Sequence, residues 1–270
     1  MNITETQVSK NILDVIEKEL NLFQEKVSIT NCNEIPNNSK IPIKQPNNVW
    51  LRIKDVTCVY VDMIGSTKLS ASNSKDTIAK IYRLFTETII RIFNEFDAPY
   101  IDVKGDGVFA LFNHNQVYRA LASAVTIKTF VEEEFIPKIE TITDENEKSI
   151  GAHIGIDRDT LLVRKFGLRK TEDRDDRQNE VWAGKTVNMA AKLSSRSNSG
   201  ELLVSDRFYN QINHKLVRKC CPCTEESDLW KEEKISDSKF DFSTIYKLES
   251  KWCAIHGAEY CKKILELDGK

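Results

Sequence analysis

The chain has 270 residues, 40% of them hydrophobic and 30% charged, with a formal net charge of -2. Those proportions suit a soluble globular protein built as one large domain or one domain with extensions. A near-neutral balance provides no whole-protein basic field for nucleic acid, and no apolar run reaches the roughly 20 residues that cross a bilayer, so neither is expected as a partner.

The start, Met1-Asn2-Ile3-Thr4-Glu5-Thr6, lacks the basic and apolar regions of a signal peptide, and a cytoplasmic location is expected. Residues 7–25 space Val8, Ile12, Val15, Ile16, Leu20 and Phe23 as a helix does. A polar stretch follows, with Asn37-Asn38-Ser39 and prolines at 36, 42 and 46, and reads as a linker or extended arm. Residues 1–48 are thus an N-terminal helix and linker, serving a partner or, as is commoner, packing on their own domain. The main domain spans 49–250. Val56 to Met63 is a nearly continuous apolar run, as in a strand buried on both faces. Residues 66–96 turn to helical spacing (Ile78, Ile81, Phe85, Ile89, Ile92, Phe96) and end at Ala98-Pro99. Tyr100 to Lys104 and Val108 to Phe112 flank Gly105-Asp106-Gly107, a hairpin signal. A helix is expected from Gln116 to Phe135, stopping before Pro137.

Ile150 to Ile156 and Leu161 to Phe166 read as two strands joined by a turn at Asp157-Arg158-Asp159. Residues 169–180 read as a polar loop, Lys185 to Leu193 as a helix, Glu201 to Ser205 as a strand, Arg207 to Asn213 as a helix and Ile245 to Leu248 as the closing strand. Residues 223–241 read as acidic and irregular, and 251–270 as a C-terminal helical extension. The order argues an α+β sandwich of ferredoxin-like βαββαβ topology.

The chemistry gathers at strand ends. Asp62 closes Val59-Tyr60-Val61-Asp62, and Asp106 occupies the hairpin turn. Two carboxylates with substrate phosphate oxygens suit Mg²⁺ or Mn²⁺ if their strands are neighbours. Alone, Asp106 would be an ordinary Asp-Gly turn residue. Side chains alternate along a strand, so Tyr60 faces the same side as Asp62 and either stacks on or donates to a base, or is a core aromatic. Gly65-Ser66-Thr67 turns into a helix whose first backbone N–H groups suit a phosphate. Far downstream, Gly184-Lys185-Thr186-Val187-Asn188-Met189-Ala190-Ala191-Lys192 brings an amide and a cation for a phosphate. Together these describe phosphoryl transfer on a nucleotide. The 7 cysteines form no disulfide framework. Cys220-Cys221-Pro222-Cys223 with Cys253, His256 and Cys261 offers enough zinc ligands, but the second half lacks a standard spacing, and reduced thiols are the favoured reading.

These segments resemble the class III nucleotidyl cyclases over roughly residues 50–250. The resemblance implies two divalent ions on Asp62 and Asp106, with the Met63 carbonyl as a further ligand. It implies Asn188 and Lys192 as transition-state contacts, and a homodimer of head-to-tail subunits with two equivalent sites. Lys192 stands where the family usually has Arg, so the charge survives without the bidentate fork, and Arg196 or an arginine from 158–177 is a candidate to compensate. At the base-reading positions this chain has Asp102, where adenylate cyclases usually have Lys and guanylate cyclases Glu, and Val181, where adenylate cyclases usually have Asp. A purine-reading pair is not evident.

The pattern is similar to a narrower group, the pyrimidine cyclases of the Pycsar antiphage system. The cues are Val-Tyr-Val-Asp-Met-Ile-Gly-Ser-Thr, Asp-Val-Lys-Gly-Asp-Gly, Leu-Val-Arg-Lys-Phe-Gly-Leu-Arg, Val-Trp-Ala-Gly-Lys-Thr-Val-Asn-Met-Ala-Ala-Lys-Leu and the late Lys251 to Gly257 segment. The resemblance implies that UTP, or alternatively CTP, is cyclised, and that the cyclic nucleotide activates a separate effector. The rivals are a purine cyclase with atypical base contacts and a non-catalytic nucleotide sensor, against which the intact Asp62, Asp106 and Asn188 argue. The basic run Arg158, Arg164, Lys165, Arg169 and Lys170 reads mainly as a solvated hairpin face, and Trp182 and Trp252 as core or interface residues.

Overall fold

The computed structural model describes residues 3–4, 6–37, 40–41, 48–143, 150–167, 178–221, 223 and 227–268. The apolar run of Val56 to Met63 lies within one long strand, around which the sheet is built. β2 (Val49–Ile64) pairs antiparallel with β4 (Gly107–Phe112) on one side and β5 (Gly151–Gly167) on the other. β3 (Tyr100–Lys104) extends the sheet beyond β4. With the helices α3 (Lys75–Glu95) and α4 (Val117–Phe130), the chain order β2-α3-β3-β4-α4-β5 and the sheet order β5-β2-β4-β3 give the expected ferredoxin-like βαββαβ unit. Beyond β5 the sheet continues through β7 (Leu202–Ser205) and β9 (Thr244–Leu248) to β8 (Trp230–Lys234).

Alternation along β2 decides which side chain serves which face. Val59, Val61 and Met63 point into the larger core, with Phe112 of β4, Ile154 and Ile156 of β5, Ile81, Phe85, Ile89 and Phe93 of α3, and the buried face of α4. Cys58 and Tyr60 point to the other face, with Phe109 and Leu111 of β4 and Ala190 of α6 (Lys185–Arg196). α6 crosses that face against Gly155 of β5, where an added Cβ would lie 2.2 Å from the Ala190 carbonyl and 2.3 Å from the Ser194 nitrogen. Only glycine allows this approach. Gly155→Ala is expected to lift α6 off the sheet and lower the midpoint of urea unfolding, by about 2 kcal/mol or more in stability.

Several expectations are corrected. Asp157-Arg158-Asp159 is not a turn: β5 runs through it as a continuous strand. Asp157 is fully buried, and Arg207 supplies the counter-charge, while Arg158 donates to Thr57 Oγ1 at 3.2 Å and the His114 carbonyl at 3.2 Å. Charge that reads as a turn in sequence is therefore neutralised inside the fold. Arg158 is accordingly a structural residue and not part of a solvated basic face. Arg169 and Lys170 lie outside the described residues. The 66–96 helix is two helices, α2 (Ser66–Ser72) and α3, because Ser74 caps the second by accepting from the Thr77 N–H. The 116–135 helix does not stop before Pro137. A π turn, Val131–Phe135, joins α4 to α5 (Ile136–Glu140), and Pro137 sits in the first turn of α5, where its missing N–H costs little.

Strands also appear in stretches read as irregular. β1 (Ser28–Cys32) runs parallel to the start of β2, inside the expected linker. β6 (Gln178–Gly184) pairs with the end of β5, and β8 lies within 223–241. Their sequences carry many polar residues because they are edge strands, with one side open to water. The helix expected over 207–213 is shorter, α7 (Asp206–Tyr209), followed by α8 (Lys215–Arg218). The N-terminal helix, α1 (Lys10–Phe23), buries none of its residues, and Phe23 is 81% exposed, so it does not pack on its own domain. The C-terminal helix, α9 (Gly257–Leu265), packs against α4. Asp268 accepts from the Tyr118 and Arg119 N–H groups at 2.8 and 2.9 Å, closing the α4 N-terminus. No helix among the described residues is long and apolar enough to cross a membrane.

Candidate active site

Asp62 is half-buried near the end of β2, on the face opposite the larger core, directly across from His153 of β5. The β3–β4 hairpin closes with Lys104 opposite Gly107, leaving Gly105-Asp106 as a two-residue loop. Gly105 has φ +67, the left-handed value that a hairpin turn with glycine first requires. This turn swings Asp106 toward the β2 strand end. Burial raises the Asp62 carboxyl above its usual range, and the nearby Asp106 charge raises it further, while His153 and the Met63 N–H pull the other way. The two acids thus lie close enough for their charges to interact within one protomer.

Tyr60 stands one pleat before Asp62 on the same face. Its ring is stacked with Phe109 at 6.0 Å between centroids. Burial, and then the charges of Asp62, Cys58, Asp106 and Asp102, push its hydroxyl up, so it stays a neutral donor. Gly107 fits between the parts: a Cβ there would lie 2.9 Å from the Tyr60 hydroxyl and 3.0 Å from Asp62 Oδ1. The hairpin can come this close only without a side chain. Gly107→Ala is expected to displace both groups and cut kcat/KM by about 10- to 100-fold, with a melting temperature within a few degrees of wild type. A steady-state assay beside a thermal scan checks it.

Asp102 of β3 shares a row of the sheet with Phe109 and Tyr60. Its carboxylate is engaged by Lys104 Nζ at 2.7 Å and by the Val103 N–H at 2.8 Å. Met63 buries its side chain in the larger core, so only its backbone lies on the Asp62 side. Gly65, at φ +81, precedes α2, and Ser66 and Thr67 begin it immediately after β2. His153 was missed by sequence reasoning. Its Nδ1–H donates to the Ser197 carbonyl, which holds the ring beside Asp62. No local signal marks it, since its place depends on the β2–β5 register.

Asn188 and Lys192 are not part of this cluster within one chain. α6 buries Thr186, Met189, Ala190, Leu193 and Ser194, so Asn188 and Lys192, one turn apart, lie on its outer side. Asn188 is exposed and donates to the Gly184 carbonyl at 3.4 Å; Lys192 donates to the Lys239 carbonyl at 2.6 Å. Val181 of β6 is likewise exposed, opposite Arg164 of β5. Among the described residues, no hydrogen bond or ion pair links these three positions to Asp62 or Asp106. Trp182 packs against Tyr100 at 4.7 Å between centroids, and Trp252 donates to Thr126 Oγ1 at 2.8 Å, so both serve the core.

A family described as the adenylate and guanylate cyclase catalytic domain matches residues 49–229. The chain belongs to this family. The chain is 33% identical over 234 residues to a uridylate cyclase of Micromonospora echinofusca, covering 84% of this chain and 74% of that one. It is 29% identical to a uridylate cyclase of Propioniciclava tarda, covering 94% of this chain and 83% of the other. Its fold is similar to the crystal structure of the adenylyl cyclase CyaB from P. aeruginosa, with a TM-score of 0.61 at 18% identity, covering 75% of this chain and 96% of that one. The donor set fits divalent cations. Asp62 and Asp106 are adjacent like charges on hard oxygen donors, and their mutual repulsion is what a bound cation relieves.

Proposed function

We propose that this protein is a uridylate cyclase, which converts UTP to 3′,5′-cyclic UMP and pyrophosphate in sites shared by two copies of the chain. The observation that carries this reading is the meeting of Asp62 and Asp106 beside the Tyr60 hydroxyl. It occurs in a chain whose similarity to proteins named uridylate cyclase spans most of its length. Asp62, Asp106 and the Met63 carbonyl would hold two Mg²⁺ or Mn²⁺ ions, which would supply charge neutralisation for the triphosphate and lower the pKa of the ribose 3′ hydroxyl. The 3′ oxygen attacks the α-phosphorus in line. The bond from that phosphorus to the bridging oxygen breaks, pyrophosphate leaves, and the hydroxyl proton passes to solvent.

The chain's own groups bind and orient. Gly65, Ser66 and Thr67 offer backbone N–H groups to the triphosphate. Tyr60 donates to, or stacks on, the base, with Asp102 in the same row. Asn188 and Lys192 come from the second copy: Asn188 positions the ribose, and Lys192 exchanges the Lys239 carbonyl for the α-phosphate, stabilising charge in the transition state. The outward face of α6 supports a homodimer, because within their own chain these two side chains bond only to the Gly184 and Lys239 carbonyls and not to the Asp62–Asp106 cluster. Val181, which has no polar group, and Asp102, which is held by Lys104, support a base pocket that does not read a purine edge. The product serves as a second messenger for a separate effector in antiphage defence, a role that rests on the resemblance to the Pycsar cyclases. Incubating purified protein with the four nucleoside triphosphates and Mn²⁺, then identifying products by chromatography, tests the substrate. Cyclic UMP is expected as the main product. Cyclic CMP would move the assignment to CTP, and cyclic AMP or cyclic GMP would overturn the pyrimidine reading.

A further inference from the structure

The end of the chain holds a side-chain cluster that phosphoryl transfer does not use. Two segments about thirty residues apart, one after α8 and one before α9, converge beside α4. Cys221 Sγ lies 3.2 Å from His256 Nδ1, Cys223 Sγ lies 3.5 Å from Cys253 Sγ, and Cys253 Sγ lies 3.9 Å from His256 Nδ1. All four donor atoms lie within 4.8 Å of one another. A tetrahedral zinc ion with bonds of about 2.3 Å to sulfur and about 2.0 Å to nitrogen sets its ligand atoms about 3.5 to 3.8 Å apart. The measured separations bracket that range. We propose that Cys221, Cys223, Cys253 and His256 bind one structural zinc ion, which fastens the C-terminal segment to the cyclase domain.

The local backbone is arranged for this. The adjacent thiol that sequence reasoning would pair with Cys223, Cys220, is turned elsewhere: its sulfur accepts from the Ser227 N–H at 3.1 Å. The ligand pair is therefore Cys-x-Cys, with Cys-x-x-His completing it. The Gly257 N–H donates to the Cys253 carbonyl at 2.8 Å, which carries the turn into α9. Four protein ligands leave no open position, so the site is structural and not catalytic. It also lies on the α4 side of the sheet, behind the face that carries Asp62 and Tyr60. On this proposal the ligand spacing is unorthodox along the chain and regular in space, in place of the simple reduced thiols expected from the sequence.

The test uses the full chain, purified in reductant without added metal and dialysed against EDTA to strip weakly held Mg²⁺ and Mn²⁺. Elemental analysis is expected to find about one zinc per chain, retained in the Asp62→Asn/Asp106→Asn double variant and reduced to below about one tenth in Cys221→Ser and Cys253→Ser. Cys32→Ser is the control and should keep its zinc. Should a cysteine variant fail to fold, cobalt reports on foldable protein. Apo protein with Co²⁺ should show thiolate-to-cobalt charge transfer and tetrahedral ligand-field bands, and His256→Cys should raise the charge-transfer intensity by about a third as three thiolates become four. Absence of zinc together with absence of the tetrahedral cobalt spectrum would overturn the proposal. So would zinc retained in Cys253→Ser, or a Cys223–Cys253 disulfide found by mass spectrometry in place of the metal. None of these outcomes depends on which nucleotide is cyclised.

Discussion

Asp62→Asn and Asn188→Ala, each assayed alone, are expected to lower turnover by about three orders of magnitude or more. When the two inactive variants are mixed and allowed to exchange subunits, activity should return to about a quarter of wild type. The expected quarter follows from the proposed sites shared between two copies. Asp62 belongs to the strand-end cluster of one copy, whereas Asn188 stands on the outer side of α6 with no tie to that cluster in its own chain. In a mixed dimer one shared site carries both substitutions, and the other is intact. Half of the dimers formed are mixed, and half of their sites work. A site contained within one chain would show no recovery, since every copy then carries a defect. Mass measurement of the mixture confirms that exchange occurred.

Asp62→Asn carries a second expected result. Its folded-state pKa is raised, by burial first and the Asp106 charge second. A raised carboxyl contributes stability that is fully present below the unfolded pKa and is lost as pH rises through the folded one. At neutral pH without divalent ions, the ionised Asp62 therefore opposes folding. Asp62→Asn should melt at or above the wild-type temperature in EDTA, and the difference should shrink when Mn²⁺ is added to the wild type. A variant that loses activity while keeping or gaining stability separates loss of chemistry from loss of fold.

Arg207→Met is expected to be the most destabilising single substitution outside the apolar core. Asp157 is fully buried in β5 and receives both Nε at 2.8 Å and Nη2 at 2.7 Å from Arg207. The same guanidinium reaches Asp159 at 3.1 Å and Asp241 at 3.0 Å, and Lys185 at the start of α6 meets Asp241 at 2.9 Å. Removing the cation strands Asp157 in a low-dielectric interior, at a cost of about 3 to 5 kcal/mol. Denaturant unfolding measures this. Asp157→Asn combined with Arg207→Met should recover part of the loss, because a neutral amide is less costly to bury than an unpaired carboxylate. Additive losses would show that the pair does not act as a unit. Because the network ends on Lys185, Arg207→Met should also loosen the helix that carries Asn188, and any folded fraction should show reduced turnover.

Much of the fold was legible because its signals are local. The apolar run of β2, the Gly105-Asp106 turn and the helical spacing of α3 each follow from neighbouring residues and backbone preference. Both acids were legible for the same reason, since Asp62 lies near the end of an apolar run and Asp106 in a Gly-Asp-Gly hairpin turn. Elements whose polarity is answered from far away were not. β5 reads as two strands because Asp157 looks like a turn residue until Arg207, fifty positions on, neutralises it. β1, β6 and β8 are edge strands, and their open sides admit polar residues that resemble loops.

The sequence by itself determined the family and the ferredoxin-like order of elements, and it singled out Asp62, Asp106, Asn188 and Lys192 as candidates for nucleotide chemistry. Only the tertiary structure decided their grouping: it placed the two acids with Tyr60, put His153 beside them, and turned Asn188 and Lys192 outward on α6. It also drew four metal-ligating side chains together from segments whose spacing shows nothing regular. The physical reason is common to all of these. Periodicity and turn chemistry act over a few residues, while strand register, helix packing against Gly155 and charge pairing act across the chain and have no local trace.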